Sequence, residues 1–223
     1  MQAIEIDGLF NVRASGTENP WLVRSGATEQ ITESGTRVLK AHGVSVVVDL
    51  REPSEAGPAV HGLPVRAVAL YGDEPPRTGR LEHIYESLIR ERGEALTLAV
   101  AAIADADGAA LVHCTAGKDR TGLVVALARL AAGATDADVV ADYVLSGAGV
   151  RAARNDHATA VADRASDADR AEILRLHLDS PVEAIRHALS VIDDLGGAEE
   201  YLRARGLDPA QLERLRRKQG SHA

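Results

Sequence analysis

Aromatic side chains are almost missing from this chain. One Trp, one Phe and four Tyr make up 3 % of it, so any core must be built from Ala, Val, Leu and Ile. Cysteine is rarer still. Cys114 stands alone, which excludes an internal disulfide and a cysteine-built metal cluster and suits a reducing compartment. No apolar run is long enough to span a bilayer. The most apolar stretch, residues 123–134, is short and carries Arg129, so no stable membrane insertion is expected. The opening MQAIEIDGLF lacks a basic region leading into an apolar one, and no signal peptide is expected. The expected location is therefore the cytoplasm; export by a route without such a signal is compatible with the same sequence. Positive charge is in deficit, 25 Lys and Arg against 33 Asp and Glu, for a net charge of −8. That balance speaks against nucleic acid as a partner, while leaving room for one local positive pocket.

What is present is enough for a sizeable core: 45 % of 223 residues are hydrophobic, which fits a single domain over residues 1–223. Short strands are expected at 3–6 and 21–24. Thr32 is placed to cap a helix ending at Gly43. The β-branched run 44–50 reads as a strand buried on both faces, and 65–70 as another strand. A Pro-rich loop at 71–79 precedes helices at 80–92 and 94–105, broken near Gly93. Residues 109–113 read as a short buried strand, 114–120 as a loop and 121–132 as a helix. The alternation argues an α/β fold, a central largely parallel sheet flanked by helices. From Asp136 onward no strand is expected, so the chain ends in a helical region. Residues 136–145 read as a helix; 147–168 have weak periodicity. Ser180 to Glu183 reads as a capping box, and Asp208 to Gln211 repeats that start signal. The basic end at 214–218 reads as a solvated helix face.

The chemistry concentrates in HCTAGKDRTG, residues 113–122. A loop joining a buried strand to a helix start turns free backbone N–H groups, and the positive helix pole, towards an anion. Gly117 permits the tight turn. Arg120 can grip two phosphate oxygens through its planar fork. The same field lowers the proton affinity of Cys114, making it a thiolate nucleophile that can attack a bound phosphoryl group. Thr115, Ala116, Gly117, Lys118 and Thr121 complete the expected substrate-binding loop, with phosphate or another oxyanion in it. No metal and no cofactor are required. Asp49, at the end of a buried strand, and Arg51, on the same rim, are candidates either for lining the site or for capping the strand. Asp73 in the Pro-rich loop is a weaker option.

Cys114, five residues and Arg120 form the signature of the protein tyrosine phosphatase superfamily. The longer string resembles a group of bacterial tyrosine phosphatases with an HCxxGKDRTG loop, whose mycobacterial members include a secreted enzyme acting on phosphoproteins and phosphoinositides. Residues 22–26 (LVRSG), 48–51 (VDLR), 142–146 (DYVLS) and 196–202 (GGAEEYL) are also similar to stretches of these proteins. The resemblance implies a phosphatase-like fold, hydrolysis of phosphotyrosine, and phosphoserine, phosphothreonine or phosphoinositides as further substrates. It also implies that residues 136–180 form a helical lid or insert. A hydroxyl at the Thr121 position is implied to stabilise the departing thiolate, against the plainer role of a helix-start residue. The only Trp, Trp21, is followed by no Asp, so the mobile Trp-Pro-Asp loop of many relatives is absent. The resemblance puts the general acid at Asp119, with Asp49 the other candidate. Lys118 reads as an extra cation at the pocket floor, favouring substrates with a second phosphate or a nearby acid. His113 is expected to orient the loop. Two other classes stay open: a sulfurtransferase using Cys114 as a persulfide carrier, and a non-catalytic phosphate-binding module.

Overall fold

The computed structural model describes residues 1–220. The apolar runs at 44–49 and 109–113 lie in the interior of a six-stranded sheet. In chain order its strands are β1 (Gln2–Ala3), β2 (Arg13–Ala14), β3 (Leu22–Ser25), β4 (Val44–Asp49), β5 (Val65–Ala67) and β6 (Ala109–His113), and their spatial order is β1-β2-β3-β6-β4-β5. β3, β6, β4 and β5 are parallel, and β1 and β2 add an antiparallel edge. The expected largely parallel sheet is therefore observed. Its register sets Ser25, His113 and Asp49 side by side, so three strands deliver their carboxyl ends to one rim. Open α/β sheets bind ligands at such a rim.

The helices are α1 (Glu33–Ala41), α2 (Leu81–Glu91), α3 (Gly93–Asp105), α4 (Asp119–Ala131), α5 (Asp136–Val144), α6 (Ser146–Ala162), α7 (Asp167–Leu178), α8 (Val182–Asp194), α9 (Gly197–Arg203) and α10 (Pro209–Gly220). Alternate strand residues feed two cores. Val46, Val48, Ala110 and Val112 pack with Val100 and Ile103 of α3, Leu123 and Leu127 of α4, and Ile185 of α8. Val44, Val47, Ala109 and Leu111 pack with Leu39 of α1 and with Ile6, Val12 and Ile31. A register shift between Val44 and Val46 explains why Val44 shares the side of Val47.

Several local expectations change. The strand expected at 3–6 shrinks to Gln2–Ala3, and that at 65–70 to Val65–Ala67, an exposed edge. α4 starts at Asp119, so Asp119 and Arg120 belong to its first turn. The Ser180 box does not form: α8 starts after Pro181 with no side-chain cap, and Ser180 Oγ is buried without a partner. The Asp208 signal does form, with Asp208 accepting from Ala210 N at 2.7 Å and Gln211 Oε1 accepting from Asp208 N at 3.0 Å. The basic end is more than a solvated face: Arg214 pairs with Asp105, and Lys218 Nζ donates to Ala106 O and Gly108 O.

The weakly periodic 147–168 region is helical. α6 and α7 pack on each other, and few of their apolar residues are buried: Val150, Ala158 and Ala162 on α6 and Ile173, Leu176 and Leu178 on α7. A helix pair that buries so little carries little pattern. No helix among the described residues is long and apolar enough to cross a membrane.

Candidate active site

Cys114 follows directly on β6 and is buried, and the loop 114–118 runs straight into α4. Gly117 has φ +66, and a Cβ there would lie 2.2 Å from Ser25 O, so no other residue fits without moving the strand end. The outer side of the loop is tied down by its carbonyls. Asn11 Nδ2 donates to Ala116 O at 3.1 Å and to Gly117 O at 2.9 Å, and Arg24 Nη2 donates to Gly117 O at 2.8 Å. In a trans peptide the N–H points opposite to its carbonyl. Fixing these carbonyls outward therefore aims the N–H groups of Gly117 and Lys118 inward. Among the described residues the N–H groups of Thr115, Ala116, Gly117 and Lys118 donate to no protein acceptor. Converging N–H groups of this kind can receive an anion.

Arg24 is itself held by a buried network. Asp142 Oδ2 accepts from Arg24 Nη1 at 2.5 Å, and its Oδ1 accepts from Arg13 Nε at 2.6 Å. Ser146 Oγ accepts from both arginines, and Arg13 donates to Asn11 Oδ1. Burial alone raises the Asp142 carboxyl, but the two guanidinium groups dominate and hold it at about 2. Asn11 has φ +56, uncommon for a residue with a side chain, at the point where it reaches the loop. Sequence reading noted the LVRSG and DYVLS stretches but assigned them no role; Asn11 gave no signal.

Burial pushes the Cys114 thiol up, yet Arg120 and the hydroxyl and backbone N–H of Thr121 outweigh it, so the thiol titrates below its ordinary range. Thr121 Oγ1 is buried and makes no hydrogen bond to a nitrogen, oxygen or sulfur among the described residues, while its proximity to Cys114 lowers the thiol.

Arg120 points to the same place, held by a residue that sequence reading missed. Glu55, in the loop after β4, accepts from Arg120 Nη1 at 2.5 Å and from Nη2 at 2.7 Å. It also accepts from Thr115 Oγ1 at 2.6 Å and from Glu52 N at 3.0 Å. Burial raises the Glu55 carboxyl, but Arg120 and Thr115 bring it down to about 2. Tyr71 stacks beneath the guanidinium, 4.9 Å from ring centroid to Cζ. The available signal for Glu55 was its place beyond a strand's carboxyl end, the same reason that made Asp49 a candidate.

Asp49 and Arg51 are not in the cleft. Arg51 donates from Nε and Nη2 to the two Asp49 oxygens at 2.9 and 2.8 Å and pairs with Glu29 at 2.6 Å. Each satisfies the other, which is why a strand-end carboxylate here braces a turn instead of meeting a ligand. His113 Nε2 lies 3.7 Å from Asp49 Oδ2, and its Nδ1 lies 3.4 Å from Cys114 O. Asp73 is exposed and accepts from Glu74 N in its own loop.

Lys118 also departs from expectation. It is fully buried, and its Nζ donates to Leu176 O at 2.8 Å and Asp179 O at 2.7 Å, with Asp119 Oδ1 at 2.9 Å. A buried ammonium needs such partners, and the carbonyls at the end of α7 supply them. It is a tie between the loop and α7, not a cation on the pocket floor. Asp119 does line the cleft, and its Oδ1 accepts from Tyr85 Oη at 2.5 Å.

The cleft above the loop has a volume of ≈ 550 Å³. Cys114, Thr115, Ala116, Asp119 and Arg120 line it together with Glu55 and Tyr71, and α6 and α7 contribute Arg154, His157, Leu176 and His177. Among the described residues Arg154 makes no hydrogen bond or ion pair, but its guanidinium feels the charges of Cys114 and Glu55 across the cleft.

Two comparisons bear on this geometry. A family model described as "Tyrosine phosphatase family" matches residues 4–219. A tyrosine-protein phosphatase of Nostoc commune is 27 % identical over 231 aligned positions, covering 92 % of this chain and 76 % of that protein.

Proposed function

The chain belongs to the tyrosine phosphatase family, and from that premise we propose that it hydrolyses phosphotyrosine through a phosphocysteine on Cys114. The observation that carries this reading is the lowered thiol of Cys114 at the foot of a cradle of unpartnered N–H groups. The phosphoryl oxygens take those N–H groups and Arg120. Glu55 occupies the two Nη groups of Arg120, which leaves its Nε–H without a protein partner for the phosphate. Cys114 Sγ attacks phosphorus as the bond to the leaving oxygen breaks, and Asp119 gives that oxygen a proton. The Asp119 carboxylate then takes a proton from water, whose oxygen attacks the phosphocysteine. Thr121 stabilises the thiolate that departs.

The family supports phosphatase chemistry over sulfur transfer or mere phosphate binding. The HCTAGKDRTG string supports membership of the bacterial group with this loop; a family match over residues 4–219 supports a single domain, and the α6 and α7 residues lining the cleft support residues 136–180 as a lid. Phosphoserine and phosphothreonine are further substrates on this reading. A second reading, phosphoinositide hydrolysis, draws on Arg154, a half-buried guanidinium in the cleft that no carboxylate pairs with among the described residues. A panel of phosphotyrosine and phosphoserine peptides and phosphoinositide vesicles separates them. The first reading expects the highest kcat/KM on phosphotyrosine, and a preference for phosphoinositides overturns it.

A further inference from the structure

Tyr85 comes from α2, which contributes none of the loop residues. It is fully buried, and its hydroxyl donates to Asp119 Oδ1 at 2.5 Å. The same hydroxyl lies 2.6 Å from Tyr143 Oη of α5, with the two rings edge to face and their centroids 6.2 Å apart. Proton counting fixes the direction. A phenol carries one proton, and Tyr85 gives its hydrogen bond to the carboxylate, so Tyr143 must donate to the Tyr85 oxygen. The chain runs one way, Tyr143 to Tyr85 to Asp119, and ends on Oδ1. Lys118 Nζ meets that same oxygen at 2.9 Å. Among the described residues Asp119 Oδ2 has no partner, and Asp119 lines the cleft. Burial, with Asp119 close by, raises both phenols, so both keep their protons.

We propose that Tyr85 is a positioning residue for proton transfer at Asp119: its hydroxyl, backed by Tyr143, fixes the carboxyl group so that Oδ2 serves the leaving oxygen. The proposal rests on the reading of Asp119 as the acid. As the S–P bond forms and the P–O bond breaks, the proton moves from Asp119 to the leaving oxygen. The charge stays on Asp119, where the hydrogen bond from Tyr85 becomes charge-assisted and stronger. Tyr85 itself loses no proton.

The test is the dependence of kcat/KM on the leaving group, from dinitrophenyl phosphate, which needs no proton, to phenyl phosphate, which does. It is run on the native protein, Asp119→Asn, Tyr85→Phe, Tyr143→Phe and the Asp119→Asn/Tyr85→Phe double variant. Tyr85→Phe is expected to lower the phenyl-to-dinitrophenyl ratio about tenfold, a fraction of a general acid's full effect. It should lower that ratio no further in the Asp119→Asn background. Tyr143→Phe keeps the Tyr85 bond and should shift the ratio the same way by less; it carries the test if Tyr85→Phe folds poorly. An equal loss on every substrate, or losses that multiply in the double variant, overturns the positioning role. If Asp119→Asn itself leaves the ratio unchanged, the acid reading fails and this inference fails with it. If Asp119→Asn changes the ratio and Tyr85→Phe does not, only this inference fails.

Discussion

Behind the loop 114–118, Asn11, Arg13, Arg24, Asp142 and Ser146 form a buried polar network drawn from β2, β3, α5, α6 and the segment before β2. In front of it, α6 and α7 lean on the loop through the Lys118 tie and a small apolar cluster of Val150, Ala158 and Leu178, with Ala116 at its edge. The rear holds ions that water cannot reach, so losing one partner strands a charge. The front holds a few contacts over a cleft, so losing one loosens a layer. A site that must keep an anion cradle rigid and still admit a substrate uses both.

Breaking the rear should cost most. Asp142→Ala leaves two buried guanidinium groups without their carboxylate, and a loss of about 3–5 kcal/mol in unfolding free energy is expected from urea denaturation. The native contribution has a pH signature. The folded Asp142 carboxyl, at about 2, lies below its ordinary 3.8, so its contribution is present above pH 3.8 and is lost as pH falls through about 2. The same titration of Asp142→Asn should show a shallower fall across that window.

Glu55 stands between the two regions, on the cleft but bound to the loop. Glu55→Gln should lower kcat/KM about 10–100-fold by letting Arg120 swing, with little change in the urea midpoint. A variant that loses stability but keeps its turnover would move Glu55 into the rear group. The most local effect belongs to the front. Lys118→Met removes the donor to Leu176 O and Asp179 O, and the loosening, about 1–3 kcal/mol, should show as faster amide hydrogen exchange in α7 while β6 stays protected. Unchanged exchange in α7 would mean that the apolar cluster alone holds the layer.

The same contrast explains what the sequence revealed. Cys114, Gly117, Asp119 and Arg120 lie within one short stretch, 114–120, and a strand-loop-helix context is enough to give them meaning. The parallel sheet was legible because 44–49 and 109–113 are apolar on both faces. Glu55, Tyr85 and Asn11 lie 65, 34 and 106 residues from the loop partners they hold. Their roles exist only once the sheet has brought them together. Lys118 differs from its sequence reading for a related reason: its type and position in the motif suggest an anion ligand, but the carbonyls it meets lie at the end of α7, a segment in which sequence reading names no element. Asp49 and Arg51 were read from a correct rule about strand ends, and their mutual pairing is what that rule does not contain.

The central claim is that Cys114 carries the phosphoryl group. Its most direct test is rapid acid quench of the protein turning over an aryl phosphate, followed by peptide mass spectrometry. The account predicts one phosphoryl group on Cys114 in the native protein and neither adduct nor turnover in Cys114→Ser. Turnover that persists in Cys114→Ser, or a phosphoryl group on another residue, would contradict it.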